Sequence, residues 1–106
     1  MKLDYAQALA WYRKGADGGD TNGLVNLGFL YEEGLGVPRD YTQAVGFYRK
    51  ASDGGDAKGM AYLASMYEVG NGVTKDQEQA LKLYRQAAKL GDQYAKNALK
   101  RLGETP

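Results

Sequence analysis

A period of 36 residues runs through this chain and limits what it can fold into. Gly34-Leu35-Gly36-Val37-Pro38-Arg39-Asp40 returns as Gly70-Asn71-Gly72-Val73-Thr74-Lys75-Asp76, 36 positions on. The same offset joins Ala8, Ala44 and Ala80, then Tyr12, Tyr48 and Tyr84, then Gly19, Gly55 and Gly91. Self-similarity at a fixed spacing of this size marks stacked supersecondary units, none of which can bury its apolar face alone. The unit is helical: isoleucine is absent, while Ala, Leu, Tyr and Gly abound, and a chain poor in β-branched residues favours helix over sheet.

Two helix types alternate. The first, here termed B, opens at Asp4, Asp40 and Asp76, each followed three residues later by Gln7, Gln43 or Gln79. An aspartate at the N-cap accepts from a free first-turn N–H and contributes about 1 kcal/mol, and a glutamine three residues on is placed to reach back to the cap. Ala8, Trp11, Tyr12 and Gly15 share one face, as do Ala44, Phe47, Tyr48 and Ala51, and Ala80, Leu83, Tyr84 and Ala87. Small residues alternating with large ones suit close helix packing. The B helices should stop near Gly18-Gly19, Gly54-Gly55 and Gly91. Asp20, Asp56 and Asp92 then cap the second type, A. In it the recurring positions are Gly23, Leu27, Gly28 and Tyr31, matched by Gly59, Leu63, Ala64 and Tyr67. Glycine within a helix costs roughly 1 kcal/mol against alanine, so Gly23 and Gly28 imply that another helix backbone lies close. The order B, A, B, A, B, A gives six helices. Its parts are a first B helix over 4–17, repeats over 20–53 and 56–89, and a terminal A helix over 92–102, after which the chain is expected to fray.

Gly23, Leu27, Gly28, Tyr31, Gly34, Gly36, Val37 and Asp40, with Ala44, Tyr48 and Ala51, resemble the Sel1-like repeat, a relative of the tetratricopeptide repeat. The second copy runs through Gly59, Leu63, Ala64, Tyr67, Gly70, Gly72, Val73, Asp76, Ala80, Tyr84, Ala87 and Ala88. Gly23, Gly59 and Ser52 depart from it, standing where the family commonly has alanine. Some bacterial members carry a cysteine pair in each repeat; this chain has no cysteine. The resemblance implies an all-α solenoid of antiparallel helix pairs, about two and a half Sel1-like repeats, whose A helices line a concave face. It also implies an adaptor or scaffold that holds other proteins or peptides, as bacterial members do in signalling, envelope and host-interaction pathways.

Composition narrows the chemistry. With 14 basic and 13 acidic residues the net charge is +1, which gives no reason to expect nucleic acid as partner. No apolar run approaches the roughly 18 residues of a membrane span, so membrane insertion is not expected. The start, Met1-Lys2-Leu3-Asp4-Tyr5, does not read as a signal peptide. Together with the lack of cysteine this favours the cytoplasm; a periplasmic or secreted location follows instead if a leader has been removed. Histidine is absent too, which removes the commonest general base and zinc ligand. Neither Ser52 nor Ser65 has a lysine three residues on, so the Ser-x-x-Lys pattern of penicillin-recognising enzymes is missing. The six aspartates are caps, and the Gly-x-Gly-Val loop lacks the ending of a phosphate loop. No enzyme, cofactor or metal is expected; a small-ligand or hydrolytic protein is the weakest alternative.

A solenoid keeps its packing residues periodic and varies those that meet partners. Next to the buried A-helix stripe, one side carries Asn22, Val25, Asn26, Phe29, Glu32 and Glu33 on the first A helix. The second offers Lys58, Ala61, Tyr62, Ser65 and Glu68, and the third Tyr94, Asn97, Ala98 and Arg101. From these, Asn22, Asn26, Phe29, Glu33, Lys58, Tyr62, Ser65, Asn97 and Arg101 are the candidate partner-binding residues. Phe29 and Tyr62 stand out as aperiodic aromatics and Asn22, Asn26 and Asn97 as ligands for a peptide backbone, although Phe29 and Tyr62 could instead pack on a neighbouring helix. The periodic tyrosines are expected in the core with hydroxyls reaching loop groups. Met1, Leu3, Leu9 and Trp11 leave the first B helix apolar, whereas Lys96, Lys100, Arg101 and Glu104 partly solubilise the last helix. A homodimer through the repeat ends, or a segment of a longer array, is the structural alternative.

Overall fold

The computed structural model describes residues 4–104; Met1, Lys2 and Leu3, named above, lie outside them, as does the end of the stretch after 102 that is expected to fray. Among the described residues there are six helices and no strand: α1 Tyr5–Asp17, α2 Thr21–Glu33, α3 Tyr41–Asp53, α4 Ala57–Val69, α5 Gln77–Lys89 and α6 Gln93–Arg101. The B helices are α1, α3 and α5; the A helices are α2, α4 and α6. Each helix packs on its sequence neighbours, and α2 also touches α4, so the A helices form one layer and the B helices the other. No helix among the described residues is long and apolar enough to cross a membrane.

All six aspartates cap. The carboxylates of Asp4, Asp20, Asp40, Asp56, Asp76 and Asp92 each accept from one or two backbone N–H groups of the first turn. Among the described residues the expected return bond from the glutamine side chains is not found. The N–H groups of Asp40 and Asp76 donate instead to the carbonyls of Tyr31 and Tyr67, both at 2.9 Å, which ties α3 and α5 each to the A helix before it. The A helices end on Gly34 and Gly70, whose φ of 69° and 87° is left-handed, a turn that glycine takes without steric cost.

The seams hold the periodic residues. Ala44, Tyr48, Ala51, Ala80, Tyr84 and Ala87 are all fully buried. Gly23 is there for close backbone approach: a Cβ would stand 2.8 Å from both the Tyr12 carbonyl and the Ala16 nitrogen. Gly28 differs from expectation. Its neighbour is a side chain rather than backbone, the Tyr48 ring, 2.5 Å from where a Cβ would be.

α1 carries the same pattern as α3 and α5, yet none of its residues is buried and Trp11 is 72% exposed. Among the described residues no A helix lies on the far side of it, and its small and aromatic face is half open there. At the other end, Glu104 donates its N–H to the Leu99 carbonyl at 2.8 Å, and its carboxylate pairs with Arg85 at 3.1 Å.

Candidate partner-binding face

The outer side of the A layer is narrower than helix periodicity suggests. Val25, Ala61 and Ala98 belong to the core cluster, with exposures of 5% or less. Side chains this small let the A helices close against their neighbours, and what a single helix presents as an outer stripe becomes partly inner. None of the nine candidates is buried. Asn22, Phe29, Glu33, Lys58, Asn97 and Arg101 are exposed, while Asn26, Tyr62 and Ser65 are half-buried.

They do not form one site. Asn22 and Lys58 line a groove of about 500 Å³ that crosses the B-to-A turns. Asn26 and Phe29 line a slot of about 170 Å³ between α1 and α2, walled on the other side by Tyr5, Ala8 and Tyr12. Tyr62 and Lys58 edge a hollow of about 60 Å³ shared with Asp92 and Tyr94. Asn97 accepts from the Gln93 side chain at 2.9 Å, and Arg101 is engaged with Glu68.

Tyr62 both packs and stays accessible. Its ring stacks on Tyr48 with centroids 5.2 Å apart and lies 5.8 Å from Tyr94, which in turn stands 6.3 Å from Tyr84. An aromatic row therefore runs from the α2–α3 seam to the α5–α6 seam. Burial pushes the Tyr62 hydroxyl above its ordinary pKa, with Tyr94, Glu32 and Asp92 adding to the shift. Tyr94, 47% exposed, is absent from the candidate set although it meets the same test: it is an aromatic where the other copies have Asn22 and Lys58.

The buried tyrosine hydroxyls do not reach loops. Tyr48 donates to Glu32 Oε1 at 2.7 Å and Tyr84 to Glu68 Oε1 at 2.8 Å. Both hydroxyls are held well above the usual tyrosine range, first by burial and then by the carboxylate that accepts from them. Glu68 is further clamped by Arg101, whose Nη1 and Nη2 donate at 2.8 and 3.0 Å. That fork lowers the Glu68 pKa, against desolvation, and raises that of Arg101. The sequence signal for this system is plain in retrospect: Glu32, Glu68 and Glu104 recur at the same 36-residue offset as the tyrosines. Among the described residues no group of three or more carboxylates is placed to hold a metal ion.

Comparison with known proteins agrees with this architecture. The Sel1 repeat family model matches residues 1–20, 21–56 and 57–92. A Sel1 repeat protein from Oxalobacter formigenes superposes with a TM-score of 0.88 at 33% identity, over 93% of this chain and 39% of that one. Helicobacter pylori cysteine rich protein B gives 0.84 at 30% identity, over 92% and 73%. A protective antigen present in uropathogenic Escherichia coli strains, displaying an SLR fold, gives 0.88 at 36% identity, over 96% and 23%. The chain thus spans well under half the length of the first and third of these proteins. No curated protein sequence matches it significantly. Three successive matches to the repeat model, on six helices that stack as such repeats do, place the chain in the Sel1 repeat family.

Proposed function

We propose that this chain is a protein-interaction module, an adaptor that holds a peptide or protein against the concave side of the A layer. Sel1 repeats are typically protein-interaction modules, and the observation that carries the reading here is the aperiodic aromatic set on that side. Phe29 and Tyr94 are 41% and 47% exposed, and Tyr62 is half-buried between Tyr48 and Tyr94. The repeat does not require an aromatic at any of these positions, since the other copies hold Ser65, Asn26, Ala98, Asn22 or Lys58 there. Accessible aromatics ringed by amides and charges are typical anchors for a bound chain. The experiment is selection from a random-peptide display library, with the winners mapped by NMR. Phe29→Ala and Tyr94→Ala should each weaken the winners about tenfold or more and leave the fold intact. Winners that map to the B layer, or that ignore both substitutions, would overturn the reading.

A second reading, self-association, is favoured by the half-open face of α1 with Trp11 at its centre. Head-to-tail stacking is opposed by Lys100, which occupies on α6 the position of Gly28 and Ala64. A copy's Tyr12 would have to pack there as Tyr48 packs on Gly28. The geometry that remains is α1 against α1 of a second chain. A monomer by light scattering at high micromolar concentration would exclude it.

A further inference from the structure

We infer that Glu32 is the receptor for an arginine side chain of the bound peptide or protein, a step that rests on the partner-binding reading above. The two seams of the chain differ in one respect. In the second, Glu68 accepts from Tyr84 and also receives the forked guanidinium of Arg101. In the first, Glu32 accepts from Tyr48 in the same way, but the residue one period before Arg101 is Ser65. Serine offers one hydroxyl and no charge, and among the described residues no side-chain hydrogen bond of Ser65 is found. Among the described residues the ion pairs are those of Glu104 and Glu68, so the half-buried Glu32 has no cation.

The second seam shows how a guanidinium reaches this glutamate. Arg101 comes to Glu68 from the next A helix, along the face where a partner would lie, so the equivalent approach to Glu32 passes over Ser65. Beside it stands the Tyr62 ring, stacked on Tyr48 and close enough to Glu32 for the carboxylate to raise its hydroxyl pKa. A half-buried carboxylate with one oxygen already bonded suits a planar guanidinium, which forks onto it. Lysine carries the charge without the fork, so arginine is preferred.

The test titrates the whole chain with acetyl-Gly-Ala-Arg-Ala-Gly-amide and follows backbone amides by NMR, alongside the same peptide with lysine or with citrulline, the uncharged isostere. Shifts should centre on Glu32, Tyr62 and Ser65, and binding should weaken about tenfold or more with citrulline. Glu32→Gln, which keeps an acceptor for Tyr48, should weaken the arginine peptide to a similar extent. Ser65→Arg supplies the chain's own guanidinium; it should abolish the shifts and raise the melting temperature. Equal binding of the citrulline peptide, no effect of either substitution, or no shift at these residues would overturn the inference. Display-selected peptides that occupy the A layer and ignore Glu32→Gln would overturn it too, yet leave the partner-binding reading standing. Selected peptides that map to the B layer would remove that reading, while the arginine titration keeps its own readout.

Discussion

The Tyr48–Glu32 bond gives the most direct measure of what holds a seam together. Tyr48→Phe deletes one oxygen and leaves the rest of a fully buried ring in place, including its stacking on Tyr62 and its contact at Gly28. The lost bond is short, 2.7 Å, and its acceptor is a carboxylate. Hydrogen bonds to charged groups contribute about 1.5–3 kcal/mol. Glu32 is only half-buried, so water can return to the freed oxygen, and the cost should fall at the lower end, about 1.5 kcal/mol. For a domain of this size that is a drop of roughly 6–12 °C in melting temperature. Urea unfolding at neutral pH should show a lower midpoint with an unchanged slope, since the buried surface is the same. The comparison that isolates the charge is the same substitution in Glu32→Gln. There the acceptor is neutral, and the cost of losing the hydroxyl should shrink to about 1 kcal/mol or less. A Tyr48→Phe variant within about 0.3 kcal/mol of the parent, or one whose cost is the same with and without the Glu32 charge, would refute the assignment of this bond as a seam element.

Three further outcomes follow from the same geometry. Tyr48 and Tyr84 have hydroxyl pKa values raised above that of the unfolded chain, near 10. The stability they give is complete below that pH and is lost as pH rises beyond it, so the Tyr48→Phe, Tyr84→Phe double variant should flatten the alkaline limb of a stability–pH curve. Glu68 has the opposite sign: its pKa is lowered in the folded chain, first by Arg101. Its contribution is present above the unfolded value of about 4.3 and disappears as pH falls through the folded value. Glu68→Gln should therefore reduce the acid-side slope, though by less than about 1 kcal/mol for the ion pair because Arg101 is half exposed. Gly59→Ala should lower the melting temperature, because the added methyl would meet the Ala51 Cβ at 2.7 Å and the Ser52 nitrogen at 3.0 Å. Overpacking of about 1–3 kcal/mol outweighs the roughly 1 kcal/mol gained in helix propensity.

The 36-residue period made the seams legible because packing residues must repeat when identical units stack. Ala44, Tyr48 and Ala51 could be placed in the core from spacing alone, and so could the six aspartate caps, whose partners are a turn away. What spacing could not show depends on a second helix. Tyr12 has the pattern of Tyr48 but is half exposed, because burial belongs to the neighbour that covers a residue and not to the residue itself. Val25 and Ala61 look outward on a single helix and are buried in the core cluster once the helices pack. The cap N–H of Asp40 bypasses Gln43 for a carbonyl of the preceding helix, a contact that no local motif encodes. The glutamates show where periodic and aperiodic positions meet. Glu32, Glu68 and Glu104 are the same residue at the same place in the unit, yet their partners are Tyr48 alone, Tyr84 with Arg101, and Arg85. In each case the difference comes from an aperiodic neighbour: Ser65 where Arg101 recurs, and Gly103 in place of the tyrosine hydroxyl that receives Arg13 and Arg49. A repeat therefore fixes where an acceptor stands, and the residues that break the repeat decide whether the chain satisfies it internally or leaves it for a partner.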